Sequence, residues 1–194
     1  MDPETRLSLL ARLRDASDDA AWAEFVELYL PVIYRSARIL GMQDADAQDV
    51  TQQVLLSVSK ALQTRPHDPG RAKFRTWLST VTRNTALNLL QRAKPDRAKG
   101  DSQEIQFLNA LAAPADAEAV LNEEYEKEVF RTVAKSVQSE FSEDSWKAFW
   151  WTTIDGQPIA EVAEALGKQV GSIYAARSRV IRRLREEVDA REED

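Results

Sequence analysis

The stretch from Pro158 to Arg185 constrains the fold more than any other part of the sequence. Its apolar residues recur at the three- and four-residue spacing of an amphipathic helix on both sides of Gly167. Ala163 is small enough to let two helices approach, Gly167 can adopt the left-handed conformation of a tight turn, and Ile173 can fill the space between the helices. The stretch therefore predicts a helix-turn-helix whose second helix lies across the first.

The second helix of this motif is expected to present a basic surface. Six side chains in the turn and the helix are basic, with no acidic residue between them: Lys168, Arg177, Arg179, Arg182, Arg183 and Arg185. Such a helix fits the major groove of DNA, with its N-terminal residues near base edges and its later arginines near phosphates. The alternative is a solvated helix pair on an ordinary bundle. We favour nucleic-acid binding because turn geometry and charge agree.

Composition limits the class of protein. The chain has 194 residues, of which 43% are hydrophobic, enough for one ordinary domain or two small ones. Strand signals are nearly absent and almost every segment has a helical period, which predicts an all-α fold. The absence of cysteine excludes disulfides and thiolate metal sites. The chain starts without the apolar core of a signal peptide and has no apolar run near the roughly 20 residues of a membrane span, so we expect a cytoplasmic protein without a membrane partner.

Charge is segregated along the chain, although the net charge is -6. Between Arg71 and Lys99 there are eight basic residues and one acidic residue, Asp96. Acidic residues collect instead in Asp15–Glu27, Asp44–Asp49, Asp116–Glu128 and Glu186–Asp194. Two basic regions separated by acidic segments predict two nucleic-acid contacts on a protein that also binds a protein partner.

The helical period predicts two domains. Residues 1–94 form the first, residues 95–117 a polar linker, and residues 118–194 the second, which ends in the helix-turn-helix. Pro31 would kink or split the second helix of the first domain. The predicted helices of the first domain are Thr5–Arg14, Ala20–Leu40, Asp44 or Asp46 to Leu62, and Phe74–Arg92.

The second domain is expected to hold an aromatic core. One helix spans Ala115 to Gln138, and Ser142 or Asp144 caps the next. Four aromatic residues of that next helix lie at helical spacing, which favours a core cluster over a base-stacking platform: Trp146, Phe149, Trp150 and Trp151.

Two basic helical modules joined by a polar linker resemble the extracytoplasmic-function sigma factors of bacterial RNA polymerase. Three stretches carry the resemblance, in the order Asp44–Val58, Phe74–Arg92 and Ile159–Val188. The resemblance implies a dissociable subunit that recognises promoters and opens DNA, with no reaction and no cofactor of its own. It also implies core RNA polymerase and promoter DNA as partners, and it allows an anti-sigma factor.

The resemblance places polymerase docking on the acidic helix. The docking residues would be Asp46, Gln48, Asp49, Gln52 and Gln53, facing the clamp helices of the largest subunit, while the second domain would rest on the flap. A negative face meeting a basic coiled coil supplies long-range steering. Gln48 and Gln53 stand where the family often has glutamate, so we expect weaker steering. Thr51 should be a core threonine rather than a phosphorylation switch, because helical geometry turns it inward.

Two further sets of residues correspond to the DNA-contacting parts of the family. In the first domain, phosphates would meet Arg71, Lys73, Arg75 and Arg83, while Asn84 and Asn88, one helical turn apart, would address an unpaired base. The loop Pro66–Ala72 would form a pocket for that base, and its His67 would be a plain surface residue. In the second domain, minus-thirty-five contacts would come from Ser172, Tyr174, Ala175, Arg177, Ser178, Arg179 and Arg182.

The sequence is compatible with three other interpretations. In the first, Asn84 and Asn88 are ordinary solvent-facing residues, and this interpretation would be preferred without the family resemblance. A self-sufficient helix-turn-helix repressor or activator would need the second domain but neither the melting helix nor the acidic face. A hydrolase or nucleotide-binding enzyme is disfavoured, because the sequence has no phosphate-cradling glycine loop, a single histidine and no supported carboxylate pair.

Overall fold

The computed structural model describes residues 6–64, 73–92 and 113–193. These residues form helices only, in agreement with the predicted all-α class, and they divide into two compact units, Glu4–Glu128 and Val129–Asp194. No helix in the described ranges combines the length and the hydropathy needed to cross a membrane. In chain order the helices are α1 (Leu7–Arg12), α2 (Asp19–Ile39), α3 (Asp44–Thr64), α4 (Phe74–Arg92), α5 (Pro114–Gln138), α6 (Glu143–Thr153), α7 (Ile159–Ala165) and α8 (Val170–Glu193).

The first unit is built around α2, α3 and α4. Helix α2 begins after Asp18, whose carboxylate accepts a hydrogen bond from the backbone N–H of Ala21 at 2.8 Å. Pro31 lies within α2 without dividing it. The helix ends before Gly41, which takes a φ of 90°. Buried side chains from all three helices form the core: Phe25, Tyr29, Val32, Ile33, Val50, Val54, Val58 and Leu78.

Thr51 lies on the inward face of α3, as predicted. Its side chain is 4% exposed, and its hydroxyl donates to the carbonyl of Ala47 at 2.7 Å. A buried hydroxyl with a backbone acceptor is satisfied without water. The residue is therefore part of the core.

The first half of α5 also belongs to the first unit. Ala117, Leu121 and Tyr125 are buried, and the ring of Tyr125 stacks on that of Tyr29 with centroids 5.4 Å apart. Helix α5 begins at Pro114, ahead of the predicted linker end at residue 117, and the predicted start of the second domain at 118 falls inside this half of α5. Residues 93–112 lie outside the described ranges.

The second unit contains the predicted aromatic core. Ser142 caps α6 by accepting from the backbone N–H of Ser145 at 3.4 Å. Trp146, Phe149 and Trp150 pack with Val180 and other apolar residues of α5 and α8. This cluster fixes α8 to the rest of the unit; Phe149 is a core residue as predicted, whereas Trp146, Trp150 and Trp151 are only partly buried.

The turn between α7 and α8 follows the predicted pattern. Gly167 has a φ of 61°, its N–H donates to the carbonyl of Glu164 at 3.1 Å, and the N–H of Lys168 donates to the carbonyl of Ala163 at 2.9 Å. These two bonds form a Schellman motif, which requires the left-handed conformation that glycine adopts without strain. Ile173 is 2% exposed and packs in a cluster with Val162 and Ala163 of α7.

Candidate nucleic-acid interface

The N-terminal half of α8 presents the predicted contact residues outward. Because Ile173, Ala176 and Val180 pack inward, the intervening positions face away from the core. Tyr174 is 52% exposed, which is unusual for an aromatic residue and leaves its ring and hydroxyl free to contact a ligand. Arg177 is half-buried, and the exposed members of the set are Ser172, Tyr174, Ala175, Ser178, Arg179 and Arg182.

The basic surface of α8 is smaller than the sequence predicted. Arg183 turns toward the end of α5, where it binds the carboxylate of Glu140 through bonds of 2.8 and 2.9 Å, and these bonds raise its pKa. Lys168 pairs with Asp144 at 3.0 Å. The sequence pattern could not reveal these partners, because both precede the helix by more than a turn. Of the predicted set, Arg177, Arg179, Arg182 and Arg185 remain at the α8 surface, and Arg182 also pairs with Glu186 at 3.7 Å.

Helix α4 exposes both asparagines that were predicted to address a base. Asn84 and Asn88 are exposed, and Arg83 donates weakly to the side-chain oxygen of Asn84 at 3.4 Å. Lys73 is also exposed, just before the helix. Arg71 and the predicted pocket loop Pro66–Ala72, with His67, lie outside the described residues.

Arg75 does not lie on the surface. It is 4% exposed, its Nε donates to the side-chain oxygen of Asn122 at 2.8 Å, and its guanidinium lies 4.5 Å from the ring centroid of Tyr125. The predicted phosphate contact is therefore unavailable in this arrangement, because the first half of α5 covers the side chain. Nothing in the local sequence around Arg75 signals a partner so far along the chain.

Helix α3 presents an exposed polar face opposite its core residues. Gln48, Asp49, Gln52 and Gln53 are exposed, while Asp46 is half-buried. One large apolar residue, Leu56, lies a turn beyond the glutamines on this face and is 61% exposed. Sequence reasoning missed Leu56, although its spacing from Gln52 and Gln53 was the signal that could have found it.

The start of this face is held in place by Asp44. Gln48 donates to Asp44 at 2.8 Å, and the hydroxyl of Tyr34 donates to the other oxygen of the same carboxylate. That hydrogen bond to Asp44 raises the pKa of Tyr34, with burial adding to the effect. The first turn of α3 is thereby tied to α2.

The aromatic cluster of the second unit also lines an open groove of about 440 Å³. The ammonium of Lys147 lies 5.9 Å from the ring centroid of Trp151. An aromatic floor with cations on its rim suits a partner that carries both apolar and acidic groups. Sequence reasoning assigned these tryptophans to the core alone. The residues that line the groove include Phe130, Arg131, Lys135, Trp146, Lys147 and Trp150.

Comparison with known proteins agrees with this geometry. The family model for Sigma-70 region 2 matches residues 25–95. That match runs from the middle of α2 through α4, and so includes the exposed face of α3 and both asparagines. The ECF RNA polymerase sigma factor SigE of Mycolicibacterium smegmatis is 26% identical over 172 residues, which cover 87% of the chain and 62% of that protein.

The chain is similar in sequence to the extracytoplasmic-function sigma factors. The ECF RNA polymerase sigma factor RpoE of Cereibacter sphaeroides is a second relative, 27% identical over 125 residues, or 57% of the chain and 67% of that protein. The chain thus spans about two thirds of the length of these relatives.

Among solved structures, the chain matches CnrH in complex with the cytosolic domain of CnrY. The match has 21% identity and a TM-score of 0.36, and it covers 94% of the chain and 96% of that structure. A TM-score this low does not establish a common arrangement of helices. The similarity to sigma factors therefore rests on the region 2 match and the two sequence relatives.

Proposed function

We propose that this chain is a sigma factor that binds core RNA polymerase and directs promoter recognition and DNA strand opening at transcription initiation. The observation that carries the proposal is that two different units each expose a polar surface suited to DNA, on α4 and on α8. One surface offers amides without a dense positive charge, and the other offers arginines beside small and hydroxyl side chains. Two such surfaces suit one unpaired and one duplex segment of the same promoter.

Helix α8 would read duplex DNA at the upstream, minus-thirty-five, element. Its first two turns carry Ser172, Tyr174 and Ala175, whose small or flat side chains let the helix approach base edges. Arg179 and Arg182 follow on the exposed side, where phosphates flank the groove. The buried Ile173 supports this role because it fixes the angle at which the helix leaves the turn.

Helix α4 would receive the opened strand at the minus-ten element. Unpaired bases expose their Watson–Crick edges, and Asn84 and Asn88 can each donate and accept hydrogen bonds from one side of the helix. Lys73 and Arg83 lie near enough in sequence to contribute charge to the same strand. Binding energy spent on unpaired bases would favour the open form of the promoter over the closed form.

The exposed face of α3 would dock on the clamp helices of the polymerase. Asp49 supplies charge for steering, while Leu56 supplies an apolar contact that can be fully desolvated at the centre of an interface. The neutral glutamines leave the face with fewer charges than the family pattern, so apolar contact would carry a larger share of the affinity. The open aromatic groove of the second unit would take the flap. An anti-sigma factor remains a further predicted partner.

The domain limits of this proposal follow the sequence prediction, 1–94, 95–117 and 118–194, with one addition. Residues 114–128 would act with the first domain, because their buried face packs within the first unit. This addition determines the exposure of Arg75, because Asn122 and Tyr125 of this segment contact its side chain.

Substitution of Arg179 by alanine tests the proposed reading of duplex DNA. If this side chain pairs with a base, the holoenzyme should lose about 1 to 3 kcal/mol of affinity for the upstream element, together with sequence discrimination there. The promoter itself would come from mapping transcription starts after overproduction of the chain. Affinity would then be measured by fluorescence anisotropy on duplexes that carry or lack the element.

Arg191→Ala is the matched control for Arg179→Ala. It removes the same charge from the same helix, but Arg191 is tied to Glu187 at 3.2 Å near the C-terminal end. Promoter affinity should be unchanged in this control. An equal loss in both variants, or a loss in neither, would remove Arg179 from the base-reading surface.

A further inference from the structure

Three carboxylates on the first half of α5 contact polar side chains of α2 and α4. Arg35 donates from Nε to Glu124 at 2.7 Å and from Nη2 to Glu128. Farther back along α5, Glu118 accepts from the hydroxyl of Thr76 at 2.6 Å. A row of acidic groups on one helix is thus held by donors of two others.

Arg75 lies beneath the same part of α5. Asn122 accepts its Nε hydrogen bond, and the ring of Tyr125 contacts both the guanidinium of Arg75 and the ring of Tyr29. Asn122 and Glu128 are six residues apart, or about 9 Å along the axis of an α-helix. The side chains that bind Arg35 and Arg75 therefore come from less than two turns of α5.

Packing alone does not require charges at this contact. Leu121 is fully buried and Tyr125 is 4% exposed, so apolar burial already holds the helix on the unit. A buried ion pair is weak evidence for stability, because desolvation of both charges offsets their attraction. The arginine fork, however, binds carboxylate and phosphate in the same planar geometry. The carboxylates are therefore chemical equivalents of phosphates at this place.

We propose that Arg35 and Arg75 form a phosphate-binding site for single-stranded DNA, which Glu124 and Glu128 occupy as competitors from within the free chain. The inference rests on the proposed function, because the strand that the site would hold is the one opened beside α4. Displacement of the first half of α5 by DNA would free Arg35 of its carboxylates and uncover Arg75. The free chain would then bind single strands weakly until α5 moves, since the competing groups are present at high effective concentration.

The double variant Glu124→Gln with Glu128→Gln tests this site in the full-length chain. Glutamine keeps the shape and a hydrogen-bond acceptor but loses the charge that competes with phosphate. The probe is a fluorescein-labelled single-stranded DNA of mixed sequence, followed by anisotropy over a range of salt concentrations. We expect affinity to rise about tenfold, and the slope of log affinity against log salt to steepen by about 0.7 for each phosphate gained. Adding Arg35→Ala to the double variant should reverse both changes.

The matched control is Glu123→Gln with Glu126→Gln. It removes the same charge from the same helix at two exposed positions that do not contact Arg35. We expect this control to leave the affinity within about twofold of the unmodified chain. Equal gains in the two double variants, or a gain that survives Arg35→Ala, would overturn the site.

Amide hydrogen exchange of the unmodified chain gives a test that needs no substitution. Saturating single-stranded DNA should speed exchange in residues 116–126, because the helix leaves its buried position. Unchanged or slower exchange there would refute displacement. The proposed function is tested separately, by promoter-dependent transcription with core polymerase. Transcription without the rise in affinity and without the faster exchange would support the proposed function and refute the site. The rise in affinity and the faster exchange without transcription would support the site and refute the proposed function.

Discussion

Replacement of Ile173 by alanine should remove a large part of the second unit's free energy of unfolding. The side chain is 2% exposed and lies in a cluster with Ala148, Val162 and Ala163. Three carbon atoms are removed, which at about 0.8 kcal/mol each accounts for about 2.4 kcal/mol of lost transfer free energy. The cavity left between α7 and α8 should bring the total to about 3 to 4 kcal/mol, since two helices cannot close fully over it.

That loss is large for a unit of this size. A unit of roughly 65 residues is expected to have a free energy of unfolding of about 3 to 10 kcal/mol. Urea unfolding followed by tryptophan fluorescence would measure the change, because Trp146, Trp150 and Trp151 report on this unit. DNA binding by α8 should fall in parallel.

The neighbouring substitution Tyr174→Ala provides the control. Tyr174 is 52% exposed, so its removal should change stability by less than about 0.5 kcal/mol. It should nevertheless weaken binding to the upstream element if the ring contacts DNA. A loss below about 1 kcal/mol for Ile173→Ala would show that the residue does not hold the two helices together, and would refute the packing argument.

Three further predictions concern α3, the turn and the acidic contact. Leu56→Ala should weaken binding to core polymerase, measured by anisotropy. The control Leu7→Ala, at a leucine of nearly equal exposure on α1, should leave that binding unchanged. Equal effects of the two substitutions would remove Leu56 from the docking face. Gly167→Ala should lower the free energy of unfolding of the second unit by about 1 kcal/mol, because an alanine there meets no atom but must keep a positive φ; unchanged stability in urea would contradict this. Burial acts to raise the pKa of Glu124, but hydrogen bonds from Lys127 and Arg35 outweigh it and leave the pKa lowered. Its ionised form therefore contributes stability above its ordinary pKa of 4.5, and that contribution should disappear as pH falls below this value. Thermal unfolding of the unmodified chain and Glu124→Gln should thus converge in acid, and a constant difference would contradict the assignment.

Local signals in the sequence predicted most of the fold. The limits of α4, the cap of α6 at Ser142, one of its two predicted candidates, and the turn at Gly167 depend on residues a few positions apart, where spacing and capping chemistry act directly. The aromatic core and the buried Ile173 followed from the helical period. These features needed no knowledge of distant contacts.

The candidate site was harder to predict because its state depends on distant parts of the chain. Arg75 is covered by Asn122 and Tyr125, 47 and 50 residues further on, and its own segment reads as an ordinary basic helix start. Arg183 is drawn away from the basic surface by Glu140, 43 residues earlier. Periodicity assigns a side chain to a face of its helix but does not reveal which other helix covers that face.

Under the proposed function, the chain directs core polymerase to promoters and opens them. The most direct measurement is run-off transcription with purified core polymerase on a duplex promoter, alongside permanganate footprinting of unpaired thymines. We expect a transcript and a melted segment only when the chain is added. We expect the double variant Asn84→Ala, Asn88→Ala to lose melting but to retain binding at the upstream element. Upstream binding by the chain without polymerase, with no transcript and no melting when polymerase is supplied, would contradict the proposed function.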